Sequence, residues 1–369
     1  MRAETLASFE AKLRPLLTRL PPRLAVRVYS LGRRFFLRSF GRNPPSRPIE
    51  VQGLERTLWG IRFRSPLFNA AGMFKYGEGY ELAAMQGAGA YLAGTTTHRP
   101  RAGNRKGGVA QPFAPYPRSR AASNWLGLPN PGHRAVAERL RCVERRDGCP
   151  IGASVAACPE PTIADDEKPV AARLEQLVAG MGLYEDADVD FLEMNESCPN
   201  TEDGESDLRG RLRFVSEHFL GRRRRPLPVI VKLCCDTRPE QVPALVSMLV
   251  ELGFDGVNFG NTSTAYALHR PRIVPAETGL YDFFTRTYGG GVSGHPLQEI
   301  SLRLAERAVR HLRTLSPEQE FHVVRTGGIE DAADIERSER AGVALNQWYS
   351  GYFEAFGRHG HGLYRRLYR

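Results

Sequence analysis

The 369-residue chain lacks two features that would have assigned it to common classes of protein. No apolar run reaches the roughly 18 to 20 residues that a helix needs to span a bilayer. None of the six cysteines forms a CxxC pair, so the sequence suggests no metal site and no iron–sulfur cluster. We expect free thiols in a reducing compartment, and no signal peptide, because no apolar segment precedes a small-residue cleavage site.

Lysine is also scarce, with five lysines against 46 arginines. Two of the five, Lys75 and Lys232, fall at the ends of predicted strands. A lysine ammonium is a compact point charge, whereas a guanidinium is a broad planar fork. Lysine at these two positions therefore indicates a cramped site that meets an anionic or electron-rich atom; chance placement is the alternative.

The net charge of +10 is concentrated at the N-terminus. Residues 1–50 hold eleven basic and three acidic side chains, a net charge of +8, and the remaining residues are nearly neutral. This distribution argues against a nucleic-acid groove through the main domain. It favours a basic segment that meets an anionic surface.

The N-terminal segment is predicted to form two helices, over 5–20 and 23–40, separated by Pro21 and Pro22. Residues 41–48 are typical of a linker. One interpretation is a helix packed on the body with a solvated basic face. The other is a hairpin lying in a membrane interface. In the second helix an apolar stripe lies beside a basic one; the stripes comprise Leu24, Val28, Leu31 and Phe35, and Arg23, Arg27, Arg34 and Arg38.

Beyond residue 66, short apolar runs alternate with helical patterns such as 239–253. Eight strands in about 290 residues predict an α/β fold, a (β/α)₈ TIM barrel, with a doubly wound open sheet as the alternative. In a barrel, chemistry is built where the strands end. The predicted strands are 67–72, 90–97, 150–155, 189–195, 228–233, 256–261, 321–328 and 343–350.

Two strand ends carry most of the chemistry. "NESCPNT" (195–201) places a thiol between two asparagines after a buried strand. "RTGGI" (325–329) and "YSG" (349–351) resemble the phosphate cradle that many barrels build at the last two strands. Glycine there allows backbone N–H groups to approach a phosphate.

Together these residues resemble the dihydroorotate dehydrogenases, FMN-dependent barrel enzymes of pyrimidine synthesis. The resemblance runs in order through residues 66–351. It is carried by "NAAGMFKYGE" (69–78), "GTTTHRPRAGN" (94–104), "NWLGLPNPG" (124–132), "NESCPNT", "VIVKL" (229–233), "GNT" (260–262), "GGGVSGHPL" (289–297), "RTGGI" and "WYSG" (348–351).

The resemblance implies roles for individual residues. Cys198 takes the position of the base that removes a substrate proton, and Lys232 that of the lysine beside the flavin N1–O2 edge. The residues matching substrate contacts are Lys75, Asn124, Leu126, Gly127, Leu128, Asn195, Asn200, Asn261 and Thr262. Those matching FMN contacts are Ala71, Gly72, Thr95, Ser154, Asn195, Lys232, Gly294, Gly328, Tyr349 and Ser350.

The chain combines features of two branches of that family. Cys198 and "GLPN" (127–130) match soluble members, whereas the N-terminal hairpin and "AAGMFKYGE" match membrane-associated, quinone-reducing members. Departures from the family pattern occur at Ser154, Gly260 and Glu196, and we expect Glu196 to turn away from the ligand. The departures leave the exact substrate open.

We therefore expect oxidation of dihydroorotate to orotate on FMN, with electrons passed to a quinone. We expect peripheral attachment at the cytoplasmic face of a bacterial inner membrane. The expected division is a hairpin and linker over 1–48, with membrane contact through 1–40, and a catalytic barrel over 49–369. The alternatives are a fumarate-dependent soluble enzyme, a paralogue acting on another pyrimidine-like or enone substrate, and a non-enzymatic phosphate-binding module.

Overall fold

The computed structural model describes residues 3–51, 54–158, 170–196 and 208–368. Its N-terminus forms the predicted helical hairpin, with helix α1 over Ala3–Leu17 and helix α2 over Pro22–Phe40. Pro22 occupies the first turn of α2, where a missing N–H costs no hydrogen bond. Helix α1 packs against the helix Ser350–His359. None of the described helices is long and apolar enough to cross a membrane.

Over its first half, helix α2 turns the face that carries Ala25, Val26, Tyr29 and Ser30 towards the rest of the protein, and Phe40 at its end is buried in the main core. Ala25, Val26, Tyr29 and Ser30 are buried on the side that contacts the strand Phe113–Tyr116 and the helix Pro275–Thr287. The predicted apolar stripe faces outward. Its members Leu24, Val28, Leu31 and Phe35 are 46%, 37%, 63% and 69% exposed.

Within the described residues, eight parallel strands form the sheet that the sequence predicts. In chain order, which numbers them below as barrel strands one to eight, they are Leu67–Asn69, Tyr91–Thr96, Ile151–Val155, Phe191–Asn195, Val229–Leu233, Gly256–Phe259, His322–Thr326 and Leu345–Trp348. From the second strand to the eighth, each hydrogen-bonds the next in that order, and the eighth pairs with the first. The prediction of a (β/α)₈ barrel is confirmed.

Helices on the outside connect the strands, and the last two helices follow the eighth strand. They are Tyr80–Gln86, His133–Arg141, Val170–Asp186, Leu208–His218, Val242–Glu251, Tyr266–His269, Pro275–Thr287, Gln298–Leu315, Ala332–Arg340, Ser350–His359 and Leu363–Leu367.

Shorter strands lie outside the barrel, and the sequence did not predict them. Arg56–Leu58 and Ile61–Phe63 pair as an antiparallel hairpin, and so do Arg105–Lys106 and Val109–Ala110. Phe113–Tyr116, Ala121–Asn124 and Gly291–Gly294 form a three-stranded antiparallel sheet.

The barrel interior is filled differently at its two ends. Near the start of the strands, Phe68, Leu92, Phe191 and Ile230 belong to one apolar cluster, which Phe63 of the first hairpin joins. Towards the end of the strands, the buried side chains become polar, among them Glu193, Lys232, Asn258 and Gln347. Packing therefore holds one end of the barrel together, and the other end is left for chemistry.

A side chain joins the first barrel strand to the second. Asn69 is fully buried, its Nδ2 donates to the Leu92 carbonyl at 2.8 Å, and its Oδ1 accepts from the Leu92 N–H at 3.2 Å. Beyond Asn69, the Gly72 N–H donates to the Gly94 carbonyl at 2.6 Å. The Asn69 amide thus supplements the isolated backbone hydrogen bonds at this seam, where no regular ladder pairs the two strands.

Replacing Asn69 with leucine should destabilise the barrel, because the buried N–H and C=O of Leu92 would lose their partners. Each such group costs about 1–3 kcal/mol. Asn346, on the eighth strand, is equally buried, but its amide has no hydrogen-bond partner among the described residues. Asn346→Leu is therefore the matched control and should be neutral or stabilising. Urea unfolding of both variants measures the difference, and equal losses would show that the seam does not depend on Asn69.

Candidate active site

A cavity of roughly 1100 Å³, including its open mouth, lies over the carboxyl ends of the barrel strands. The barrel strands, the three-stranded sheet and helix α2 all contribute to its wall. The lining residues that the sequence analysis had named are Ala71, Gly72, Lys75, Thr95, Asn124, Leu126, Leu128, Asn195, Lys232, Asn261, Thr262, Gly294, Gly328, Tyr349 and Ser350.

Two of the named residues that the structure describes are not part of this lining. Gly127 lies between two residues that are, and Ser154 lies directly behind Thr95, with 2.9 Å between the two hydroxyl oxygens. Cys198 and Asn200 lie outside the described residues. The functional roles of all these residues stay predictions, although the fold brings most of them to one cavity.

Polar side chains at neighbouring strand ends are linked by hydrogen bonds. Asn261 Nδ2 donates to Asn195 Oδ1 at 3.2 Å, and Asn195 Nδ2 donates to Thr95 Oγ1 at 3.2 Å. The Thr262 N–H donates to Asn261 Oδ1 at 2.8 Å. These contacts fix the orientation of both amides, so the site is organised before any ligand enters.

Three cations line the cavity: Arg33, Lys75 and Lys232. Among the described lining residues there is no aspartate or glutamate. Burial lowers the pKa of Lys75 well below its ordinary value, and the positive charge of Arg33 lowers it further, while Glu78 acts in the opposite direction. A cavity with this excess of positive charge suits an anionic ligand.

Arg33 is the lining residue that the sequence analysis missed most clearly. It lies on α2, where its Nη2 donates to the Tyr349 hydroxyl at 2.6 Å and its guanidinium lies 5.5 Å from the centre of the Phe113 ring. The sequence placed it among the basic residues of a surface helix. Arg33 lies outside the stripe formed by Arg23, Arg27, Arg34 and Arg38, and this different helix face is the sequence signal that could have distinguished it. The hairpin therefore contributes directly to the site.

Lys232 lies at the floor of the cavity and is almost fully buried. Its Nζ donates to Gln347 Oε1 at 3.0 Å and lies 3.3 Å from Glu193 Oε1. Glu193 was also missed, although a carboxylate inside the apolar run "VDFLEM" is a sign of a buried partner. An ammonium has three donors, and these two contacts hold it in place below the cavity.

One corner of the cavity is suited to a phosphate. Gly327 and Gly328 line it, together with Ser350 at the start of the helix Ser350–His359. Among the residues that the structure describes, no side chain caps that helix N-terminus, so its first N–H groups are available to an anion. Behind this corner the buried Arg325 donates to Ser301, Ser338 and the carbonyls of Gln298 and Asp334, which stiffens the glycine turn.

Glu196 lies apart from the cavity lining in the described part of the chain. Its Oε2 accepts a hydrogen bond from Arg211 Nε at 2.9 Å, and the two side chains form an ion pair. This pairing gives the carboxylate a countercharge away from the residues that face a ligand.

The fold and this cavity define a (β/α)₈-barrel enzyme with a cationic site at its strand ends. A family model described as dihydroorotate dehydrogenase matches residues 53–357. The chain belongs to the dihydroorotate dehydrogenase family, and it is an oxidoreductase.

Similar proteins agree with this assignment. A "Dihydroorotate dehydrogenase (quinone)" of Mycobacteroides abscessus is 32% identical over 318 residues, covering 84% of this chain and 78% of that protein. One of the same name from Kineococcus radiotolerans is 31% identical, covering 94% and 90%. A crystal structure of DHODH from Eimeria tenella in complex with ferulenol has a TM-score of 0.71 over 91% of this chain and 89% of that one, at 20% identity, and so supports the fold.

The Lys75 environment predicts how anion binding responds to pH. A protonated Lys75 favours an anionic ligand, so affinity should fall as the pH rises through its lowered pKa. Arg33→Gln removes a neighbouring positive charge, raises that pKa and should move the loss of affinity to higher pH. Titrations with orotate as the anionic probe, repeated across a range of pH, would measure this fall in affinity. Arg38→Gln, a change at an exposed residue of the same helix, should leave the pH of this fall unchanged. If Arg33→Gln also leaves it unchanged, the electrostatic coupling of Arg33 to Lys75 is contradicted.

Proposed function

We propose that this protein oxidises dihydroorotate to orotate on bound FMN and passes the electrons to a quinone at a membrane surface. Family membership supports the reaction and its place in pyrimidine biosynthesis, and the quinone-type relatives support the acceptor. The observation that carries the proposal is the cavity, which gathers two lysines, three asparagines and a phosphate-type corner at the strand ends.

The residues present fit FMN. The glycine turn and the uncapped helix start suit its phosphate, and Lys232 suits the electron-rich edge of its ring. When bound, FMN supplies the hydride acceptor. The protein's part is to hold the phosphate at Gly328 and Ser350, and to hold a positive charge at Lys232 where negative charge develops.

The substrate side needs a countercharge and an amide-rich edge. We assign the carboxylate of dihydroorotate to Lys75, which is buried and whose Nζ donates to the Gly72 carbonyl at 2.6 Å. Asn124, Asn195 and Asn261 line the same cavity and offer both donors and acceptors to a pyrimidine ring. Because Asn195 and Asn261 hold each other in position, they fix the ring's orientation before reaction.

The base remains a proposal from the sequence motif. We assign Cys198 to removal of the C5 proton while C6 gives up hydride. A thiol with an ordinary pKa of about 8.5 is mostly protonated at neutral pH, so the site must favour the thiolate or work by concerted transfer.

The contact between α2 and the cavity supports a route for the quinone. Arg33 and Phe113 line the cavity beside Tyr349 and the substrate-side strands. A quinone head entering past the hairpin would meet a guanidinium donor and two aromatic rings. The hairpin is then part of the catalytic unit and not a separate anchor.

The outward face of the hairpin supports membrane contact. Among the described residues, six of the eight large apolar side chains that are exposed lie on α1 or α2, including Phe9, Leu16, Leu31 and Phe35. Arg23, Arg27 and Arg38 are exposed on α2 beside them. Apolar area with adjoining basic charge is what binds a peripheral protein to anionic lipid. We place this face on the cytoplasmic side of a bacterial inner membrane.

Purified protein should be yellow and should release FMN, not FAD, on denaturation. Dihydroorotate should bleach the flavin and yield orotate, detected in the near ultraviolet. Cys198→Ala should keep its FMN but be reduced on the order of 10² to 10⁴ times more slowly, the usual effect of losing a positioned base. Cys198→Ser should keep measurable activity with a shifted pH profile. Colourless protein that takes up no FMN would refute the function, and an unchanged rate in Cys198→Ala would refute only the base.

Replacing Leu31 and Phe35 by glutamate should abolish binding to anionic vesicles and activity with quinone analogues. The buried face of α2 is untouched, so reduction of the flavin by dihydroorotate should persist. Leu268→Glu, a change at an exposed leucine outside the hairpin, is the control and should leave vesicle binding intact. If the wild type prefers fumarate to quinone as acceptor, and the substitutions at Leu31 and Phe35 do not alter its turnover, the soluble, fumarate-dependent alternative is established instead.

A further inference from the structure

The layer of side chains directly beneath the cavity is ionic. Glu193 is fully buried, with its Oε1 3.3 Å from Lys232 Nζ. Its Oε2 accepts from Asn258 Nδ2 at 2.8 Å and from Gln347 Nε2 at 2.6 Å. Thr326 Oγ1 lies 3.0 Å from both Asn258 Oδ1 and Gln347 Oε1. Lys232 and Thr326 line the cavity, so the carboxylate lies just below the floor.

Stability does not explain this layer. The next cluster of interior side chains along the strands is apolar, with Phe191, Ile230, Val324 and Leu345, as is usual in barrels. Exchanging a buried ion pair for well-packed apolar side chains is often neutral or stabilising. A carboxylate with no exposed surface, supplied with three partners, is therefore better explained by what it does to Lys232.

We propose that Glu193 sets the reduction potential of the bound flavin by opposing the positive charge of Lys232. This inference rests on the proposed function, because it requires FMN above Lys232. With FMN bound, the hydride released from the substrate C6–H bond would pass to N5 of the flavin, and the reduced ring would carry one negative charge on the side of Lys232. Lys232 stabilises that charge, and Glu193 weakens the stabilisation from below.

A lowered flavin potential favours the second half of the reaction, in which the reduced flavin is reoxidised by the quinone. A lower potential makes the reduced flavin a stronger donor, so its two electrons pass more readily to the quinone. Interactions between charges are strong in a buried layer, because little water screens them. Glu193 also fixes the ammonium in place together with Gln347. It is thus a positioning residue that acts through Lys232.

Redox titration of the FMN-loaded wild type and of Glu193→Gln tests the proposal. The substitution keeps the shape and removes the charge. It should shift the equilibrium towards reduced flavin at least tenfold, which raises the midpoint by about 30 mV for a two-electron couple. Glu193→Asp keeps the charge and should lie closer to the wild type.

Glu277→Gln is the matched control. Glu277 is 3% exposed, and its carboxylate accepts hydrogen bonds from the N–H groups of Arg118 and Ser119 and from the Ser119 hydroxyl. Removing that charge should change the melting temperature and not the potential. If Glu193 were merely structural, Glu193→Gln would behave in the same way.

The outcomes separate this inference from the function itself. If the wild-type protein binds no flavin, both the proposed function and the role of Glu193 are overturned. If it is a flavoprotein but Glu193→Gln leaves the potential unchanged or lowers it, only the role of Glu193 is overturned. If Glu193→Gln does not fold, Lys232→Gln and the double variant Glu193→Gln/Lys232→Gln replace it. The double variant must then have the higher potential of the two, and an equal or lower value contradicts the proposal.

Discussion

The side-chain amide of Asn69 bonds the first barrel strand to the second at the seam where the regular ladder stops, beside a few isolated backbone hydrogen bonds. Strand ends from all sides of the barrel supply the cavity: Gly72 follows the first barrel strand, Thr95 belongs to the second, and Tyr349 follows the eighth. If the seam parted, these walls would separate. The geometry of the cavity therefore depends on how well this seam is held, and the buried Asn69 hydrogen bonds are its side-chain contribution.

The eight barrel strands could be predicted because parallel strands buried on both faces appear as short apolar runs between helical patterns. The differences lie at the strand ends. The first strand was expected over 67–72 and ends at Asn69, and the last was expected over 343–350 and ends at Trp348. The residues that were predicted beyond Asn69 and beyond Trp348 leave the hydrogen-bonded ladder and turn into the cavity. For the same reason, most residues named from motifs line it.

Two parts of the site could not be read from the sequence, each for a physical reason. A helix carrying both an apolar stripe and small residues can bury either one, and α2 buries Ala25 and Val26. That choice directs Leu31 outward and brings Arg33 to the cavity. A lone acid in an apolar run indicates a buried partner but does not identify it, because Glu193 meets Lys232 only through the alignment of adjacent strands.

The buried pair of Glu193 and Lys232 also constrains how this chain can change. Replacing either residue alone leaves an uncompensated charge in the protein interior, which typically costs about 3–5 kcal/mol. That is a large share of the roughly 5–15 kcal/mol by which a domain is stable. The effects of substitutions at these two positions on stability should therefore be strongly interdependent, so that a change at one residue costs less when the other changes with it.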